Sequence, residues 1–196
     1  MNAIYDRISI RSFLKKSVEK QLITDILDAG RVAPSAKNRQ PWKYIVFADS
    51  TKEELLERME AGLDREEHIS ATMPKSSFGL PDARNTLRIM REAPVVIIIL
   101  NTNGTSPFIP INADDRITEI CDTLSIGASV QNILLNATET GLGTLWIANT
   151  CFAYKELTES LDTDSQLVGA IALGYPDECP GQRPRKALDE IIEFRY

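Results

Sequence analysis

The chain has 196 residues, 43% hydrophobic and 26% charged, with a formal net charge of -6 at neutral pH. That length fits one domain able to hide roughly 70% of its unfolded surface, so its core needs no disulfide or metal staple. The acidic balance argues against a phosphate-backbone binder of nucleic acid without forbidding a local basic pocket, and the longest purely apolar run, Val95 to Leu100, is too short to span a bilayer.

In chain order, Asn2 is placed to cap a short helix leading into Arg7-Ile8-Ser9-Ile10-Arg11. Ser17 caps a second helix, whose Leu22, Ile23, Ile26, Leu27 and Ala33 fall at helical spacing, and Pro34 stops it. A polar loop from Ala33 to Trp42 follows, with two prolines bracketing Ser35, Asn38 and Gln40. Residues 43–48 read as a strand, and Ser50/Thr51 with Glu53 and Glu54 open the next helix. From about Arg58 to Leu80 the pattern breaks into charges, Met, Gly and Pro, predicting a mobile excursion or lid. A helix over 82–90 and Pro94 precede the run Val95–Leu100, whose unbroken apolar character marks a strand covered on both faces.

A loop with Asn103-Gly104 then reaches about Asp115. The longest helix spans roughly 117–140 and is apolar around most of its girth, as a central or subunit-interface helix would be. Gly141 ends it; a strand over 144–148, a short helix over 154–161 and a buried strand over 166–174 follow. The tail from Lys186 to Tyr196 needs something to pack on, such as a partner subunit. This irregular alternation predicts one α+β domain over 1–196, a sandwich and not a doubly wound sheet.

Common catalytic signatures are absent: there is no Walker loop, G-x-G-x-x-G, G-x-S-x-G or C-x-x-C. The single histidine, His68, cannot build a metal cluster or triad alone, and it reads as an exposed bystander. Cys121, Cys151 and Cys179 lie far apart and read as reduced packing thiols in a cytoplasmic protein. What remains is a pair of basic clusters in an acidic chain: Arg7, Ser9 and Arg11 near the start, Arg183 and Arg185 near the end. Arginine forks and a serine hydroxyl are what a phosphate dianion needs. Each cluster alone equally fits a solvated surface run.

Taken with the Ala33–Trp42 loop and the pair Asn85/Arg88, one turn apart on a helix, these residues resemble the nitroreductase family, whose members bind FMN. The opening Arg7-Ile8-Ser9-Ile10-Arg11 is similar to the family's Arg-Arg/His-Ser-x-Arg/Lys start, with Ile8 in place of a second basic residue. The resemblance implies that Arg7, Ser9, Arg183 and Arg185 hold the FMN phosphate, and that Arg11, Asn85 and Arg88 face the flavin pyrimidine edge. It implies that the loop, through Pro34, Ser35, Ala36, Asn38 and Gln40, approaches the flavin of the other subunit. It aligns Trp146-Ile147-Ala148-Asn149 with the segment whose backbone N–H addresses flavin N5. Ala148 there, in place of a hydroxyl, points to two-electron hydride transfer, although Thr150 stands close.

The implied fold is a nitroreductase-like sandwich, a central mixed sheet covered by helices with one long interface helix. The implied activity is a homodimeric, FMN-dependent oxidoreductase passing a hydride from NAD(P)H to an electron-poor acceptor such as a nitroaromatic or quinone, in ping-pong order, with no nucleic acid or membrane partner and no metal. Reductive dehalogenation, flavin breakdown and non-catalytic flavin binding remain alternatives at this point.

Overall fold

The computed structural model describes residues 2–68, 71–73 and 76–196, with backbone alone at position 76. Its centre is a four-stranded sheet of β1 (Trp42–Ala48), β2 (Val95–Asn101), β3 (Gly143–Ile147) and β4 (Gln166–Gly174), in spatial order β1-β2-β4-β3. All three strand pairs are antiparallel. The mixed sheet expected from sequence is thus antiparallel in its named strands; the parallel component is one isolated bridge between Ser9 and Thr144.

Strand β2 shows why this sheet is central. Its side chains alternate between two apolar layers: Val95, Ile97 and Ile99 enter one, Val96, Ile98 and Leu100 the other. Each such fully buried side chain contributes about 1.5–3 kcal/mol of transfer free energy. One face is covered by α2 (Lys20–Arg31) and α5 (Ala113–Glu139), which supply Ile23, Ile26, Ile126, Val130 and Ile133. The opposite face is covered by α3 (Asp49–His68), α4 (Ser76–Glu92) and α6 (Tyr154–Ser160), with Leu55, Met59, Leu87, Met90 and Leu157. The short α1 (Ala3–Asp6) touches α5.

The excursion expected over 58–80 is instead largely helical; positions 69, 70, 74 and 75 lie outside the described residues. Helix α3 continues to His68 because Met59, Leu63 and Glu66 keep a buried stripe while its charges find partners. Arg65 meets Glu156 and Glu66, Arg84 meets Asp64 and Glu67, and Arg91 meets Glu60. Gly62, which looked like a breaker, lies where α3 crosses the turn before α6: a Cβ there would fall 2.4 Å from the Cβ of Ala153. Buried Lys52 donates to the carbonyls of Arg91 and Ala93, satisfying the end of α4.

Two caps also differ. Glu19, not Ser17, occupies the N-cap of α2, and Asn112 caps α5 by accepting from the Asp115 amide, so that α5 begins at Ala113, four residues before the expected start. The tail beyond 186 carries only a short 3-10 turn and leaves Leu188, Ile191 and Phe194 exposed. Among the described residues no helix is long and apolar enough to cross a membrane, and no acidic, His or Cys group could hold a metal ion.

Candidate functional site

The two basic clusters meet. After α1 the chain runs extended, with Ser9 bridged to Thr144 of β3 and the Ile10 amide bonded to the Thr144 carbonyl at 2.9 Å. Side chains alternate: Ile8 and Ile10 pack into the core, while Arg7, Ser9 and Arg11 take the other side. Gly143 makes this possible, since a Cβ there would stand 2.7 Å from Ile10 Cγ1. Ile8 therefore anchors the strand-like segment through its apolar body and also reaches the rim of the cavity.

The segment after β4 returns beside this stretch. The Leu14 amide bonds the Tyr175 carbonyl, the Asp177 amide the Ser12 carbonyl, and the Arg11 amide donates to the Glu178 carboxylate. Gln182 then donates its side-chain amide to the Tyr5 carbonyl. The result is a cavity of about 370 Å³ lined by Arg7, Ile8, Ser9, Arg11, Arg183 and Arg185, with Gln131 of α5 as a further wall. None of the four guanidinium groups forms an ion pair among the described residues, whereas Arg31, Arg39, Arg65, Arg84, Arg88, Arg91 and Arg116 each do. Arg11 and Arg185 are steadied only by backbone carbonyls. Four arginines around one cavity with no carboxylate among its lining residues suit a multiply charged anion.

Other expected residues lie elsewhere. Asn85 and Arg88 share one face of α4, but the Asn85 side-chain oxygen accepts from Arg88, and Arg88 also pairs with Glu92. Arg88 lines a different cleft, with Lys15, Lys16 and Arg91, so one chain does not join it to the Arg7 cavity. The loop around Ser35 is also outside that cavity. Its backbone is left-handed at Lys37, Asn38 and Gln40, with φ of 53°, 54° and 47°. It is pinned locally: Ser35 Oγ accepts from the Gln40 amide, and the Gln40 side-chain amide donates to Asn38. The Ala36 amide donates to Ser125 Oγ, and Arg39 pairs with buried Asp122, both partners being on α5. Pro34, Asn38 and Gln40 stay exposed.

At the end of β3, Trp146 and Ala148 are exposed and Ile147 is buried, as alternation requires. Thr150 is buried, so its hydroxyl is not displayed beside Ala148. Sequence reasoning missed how this segment is tied down. Asn149 Nδ2 donates to Asp82 Oδ2 at 3.0 Å and to Thr86 Oγ1 at 2.9 Å, joining the end of β3 to α4. Its Oδ1 is buried with no partner among the described residues. Asp82 and Thr86 sit four apart on one helical face, a spacing too common to signal a site by itself. His68 is exposed, and Cys121, Cys151 and Cys179 are free thiols.

The chain is similar to known proteins along nearly its whole length. A candidate NAD(P)H nitroreductase of Bacillus subtilis is 26% identical over 194 residues, covering 97% of this chain and 92% of that protein. A nitrobenzene nitroreductase of Ectopseudomonas oleovorans is 26% identical over 226 positions, covering 97% and 93%. The FMN-dependent nitroreductase of Mycobacterium smegmatis, solved in complex with NADPH, superposes with a TM-score of 0.74 at 18% identity, over 100% of this chain and 97% of that one. At that identity the likeness speaks for the fold. The sequence profile of the nitroreductase family matches residues 4–175, and the chain belongs to the nitroreductase family.

Proposed function

We propose that this chain is an FMN-dependent NAD(P)H oxidoreductase that works as a cytoplasmic homodimer on electron-poor acceptors such as nitroaromatics or quinones. The observation that carries the reading is the convergence of Arg7, Ser9, Arg11, Arg183 and Arg185 on one cavity of an acidic chain. Bound FMN supplies hydride transfer at N5, from NAD(P)H and then to the acceptor, in ping-pong order.

The donor set fits the group. Arg7, Arg183, Arg185 and the Ser9 hydroxyl suit the phosphate, and Arg11 provides a fixed cation where reduced flavin gathers negative charge. The backbone near Ala148 and Asn149 would offer its N–H to N5, and the Asn149 contacts to Asp82 and Thr86 hold that segment in place. Ala148 brings no hydroxyl there, which favours two-electron chemistry. Asn85 and Arg88, which lie away from the arginine cavity of their own chain, are the residues that the family resemblance would set at the pyrimidine edge, and water would provide the protons, since no histidine stands near.

Two features support the homodimer. Ile117, Ile120 and Leu124 form an exposed apolar stripe on α5 at spacings of three and four, and the apolar tail is bare. In this arrangement the Ser35–Gln40 loop serves the flavin of the other subunit, with Asn38 and Gln40 as its reaching groups. The free thiols accord with a reducing compartment.

The test is direct. Purified protein carries flavin absorbance near one FMN per chain, and NADH or NADPH bleaches it anaerobically. A colourless protein that refuses added FMN overturns the reading. Replacing Arg7 and Arg185 together by alanine weakens FMN binding by about two to four orders of magnitude, at about 1.5–3 kcal/mol per charge-assisted hydrogen bond. Unchanged retention would place the phosphate elsewhere.

A further inference from the structure

Another cavity, of about 640 Å³, shares no residue with the arginine-lined one. It forms where α6 and the turn before it meet the 105–109 loop and the 163–165 segment. Phe108 and Tyr154 make its aromatic wall, edge to face with centroids 5.5 Å apart. Ile109 and the half-buried Cys151 extend the apolar lining. Phe108 is 47% exposed and Ile109 56% exposed, so two large apolar side chains are left in water at the mouth of a preformed hollow. The size lies within the range of small-molecule clefts, about 300–1,000 Å³.

The two cations at its wall each face a carboxylate. Arg65 is held between Glu156 and Glu66, and Lys155 lies 3.8 Å from Glu159. Asp164 alone among these wall charges has no ion-pair partner among the described residues. That residual negative charge turns away anions. Polarity otherwise comes from hydroxyls, and those of Thr105 and Ser165 have no hydrogen-bond partner among the described residues. Burial pushes the Cys151 thiol up, so it stays neutral and packs as an apolar group.

We infer that this cavity binds an uncharged aromatic molecule of two or three fused rings bearing a hydroxyl or carbonyl. The rings lie against Phe108, Tyr154 and Ile109, and the oxygen meets the Thr105 or Ser165 hydroxyl. The assignment does not depend on flavin binding. Cys151 stands two residues beyond Asn149 in the same 3-10 turn, so an occupant touches the element that ends at the β3 segment.

Cys151 also reports the occupant. The protein as purified is treated with N-ethylmaleimide, and peptide mass spectrometry follows Cys151 with exposed Cys179 as internal reference. Near-saturating naphthol slows Cys151 labelling about fivefold, as about 80% occupancy requires, and leaves Cys179 unchanged. Naphthoate, the same rings with a carboxylate, gives no protection. Phe108→Ala, a change at an exposed side chain that leaves the core intact, abolishes the naphthol effect. Saturation-transfer NMR on naphthol gives a second readout, strong with the wild type and weak with Phe108→Ala. Absence of naphthol protection and transfer overturns the assignment, as does equal protection by naphthoate or an unchanged signal in Phe108→Ala.

Discussion

Two of the molecule's cavities are built on opposite principles. One gathers four guanidinium groups and leaves them without counter-ions; the other takes an arginine into its wall and neutralises it with two carboxylates. Unpaired like charges repel, so the first arrangement is a liability until an anion arrives. The second is complete without a ligand and contributes to the fold. The contrast separates a site held open for binding from one whose charges serve structure and whose apolar surface does the recognising.

The largest expected effect falls on the neutral cavity. Arg65→Met strips Glu66 and Glu156 of their shared cation in a partly dry wall, and stability measured by urea unfolding drops by about 3–5 kcal/mol. A drop that small surface pairs would give, below about 1 kcal/mol, would show that the wall is solvated. Salt sharpens the contrast. Raising ionic strength from about 0.05 to 0.5 M weakens FMN binding about tenfold through screening, while protection of Cys151 by naphthol holds or improves. Equal salt dependence would mean that charge is not what distinguishes the two cavities.

A smaller effect tests which flavin the loop serves. Asn38→Ala weakens FMN binding by about two- to tenfold, the value of one hydrogen bond, and leaves inorganic phosphate competition unchanged. Because the loop lies outside its own chain's arginine cavity, the effect should disappear when protein is diluted to monomer. The smallest effect concerns acid. Burial pushes the Glu156 carboxyl up, but the Arg65 hydrogen bond and charge outweigh it, and its net position is below the ordinary glutamate value. A depressed folded-state value stabilises above the ordinary range and loses that contribution as pH falls below it. Thermal midpoints of wild type should therefore decline more steeply through that acidic window than those of Glu156→Gln.

Much of the fold could be read from residue pattern. The unbroken β-branched run at 95–100 identified the doubly covered strand, and β4 spans Gln166–Gly174 as expected. Helices α3 and α4 were obscured because their stability comes from partners distant in sequence: Arg65 with Glu156, Arg91 with Glu60, Gly62 against Ala153. A charge reads as solvated until its partner is known. The arginine cavity was legible because two basic clusters stand out in an acidic chain. The Asn149 contacts to Asp82 and Thr86, and the neutral cavity, draw on ordinary hydroxyl, amide and aromatic residues from separate segments, which no local pattern marks.

The left-handed loop at Lys37, Asn38 and Gln40 bears on how chains would assemble. A non-glycine residue in that conformation is strained by about 1–2 kcal/mol, and here the strain is met inside one chain by anchors on α5. The loop would therefore be ordered before any second subunit arrived. Little backbone freedom is left to lose at encounter, so assembly should follow collision kinetics: one phase, second order in protein, with no slow step of loop ordering behind it.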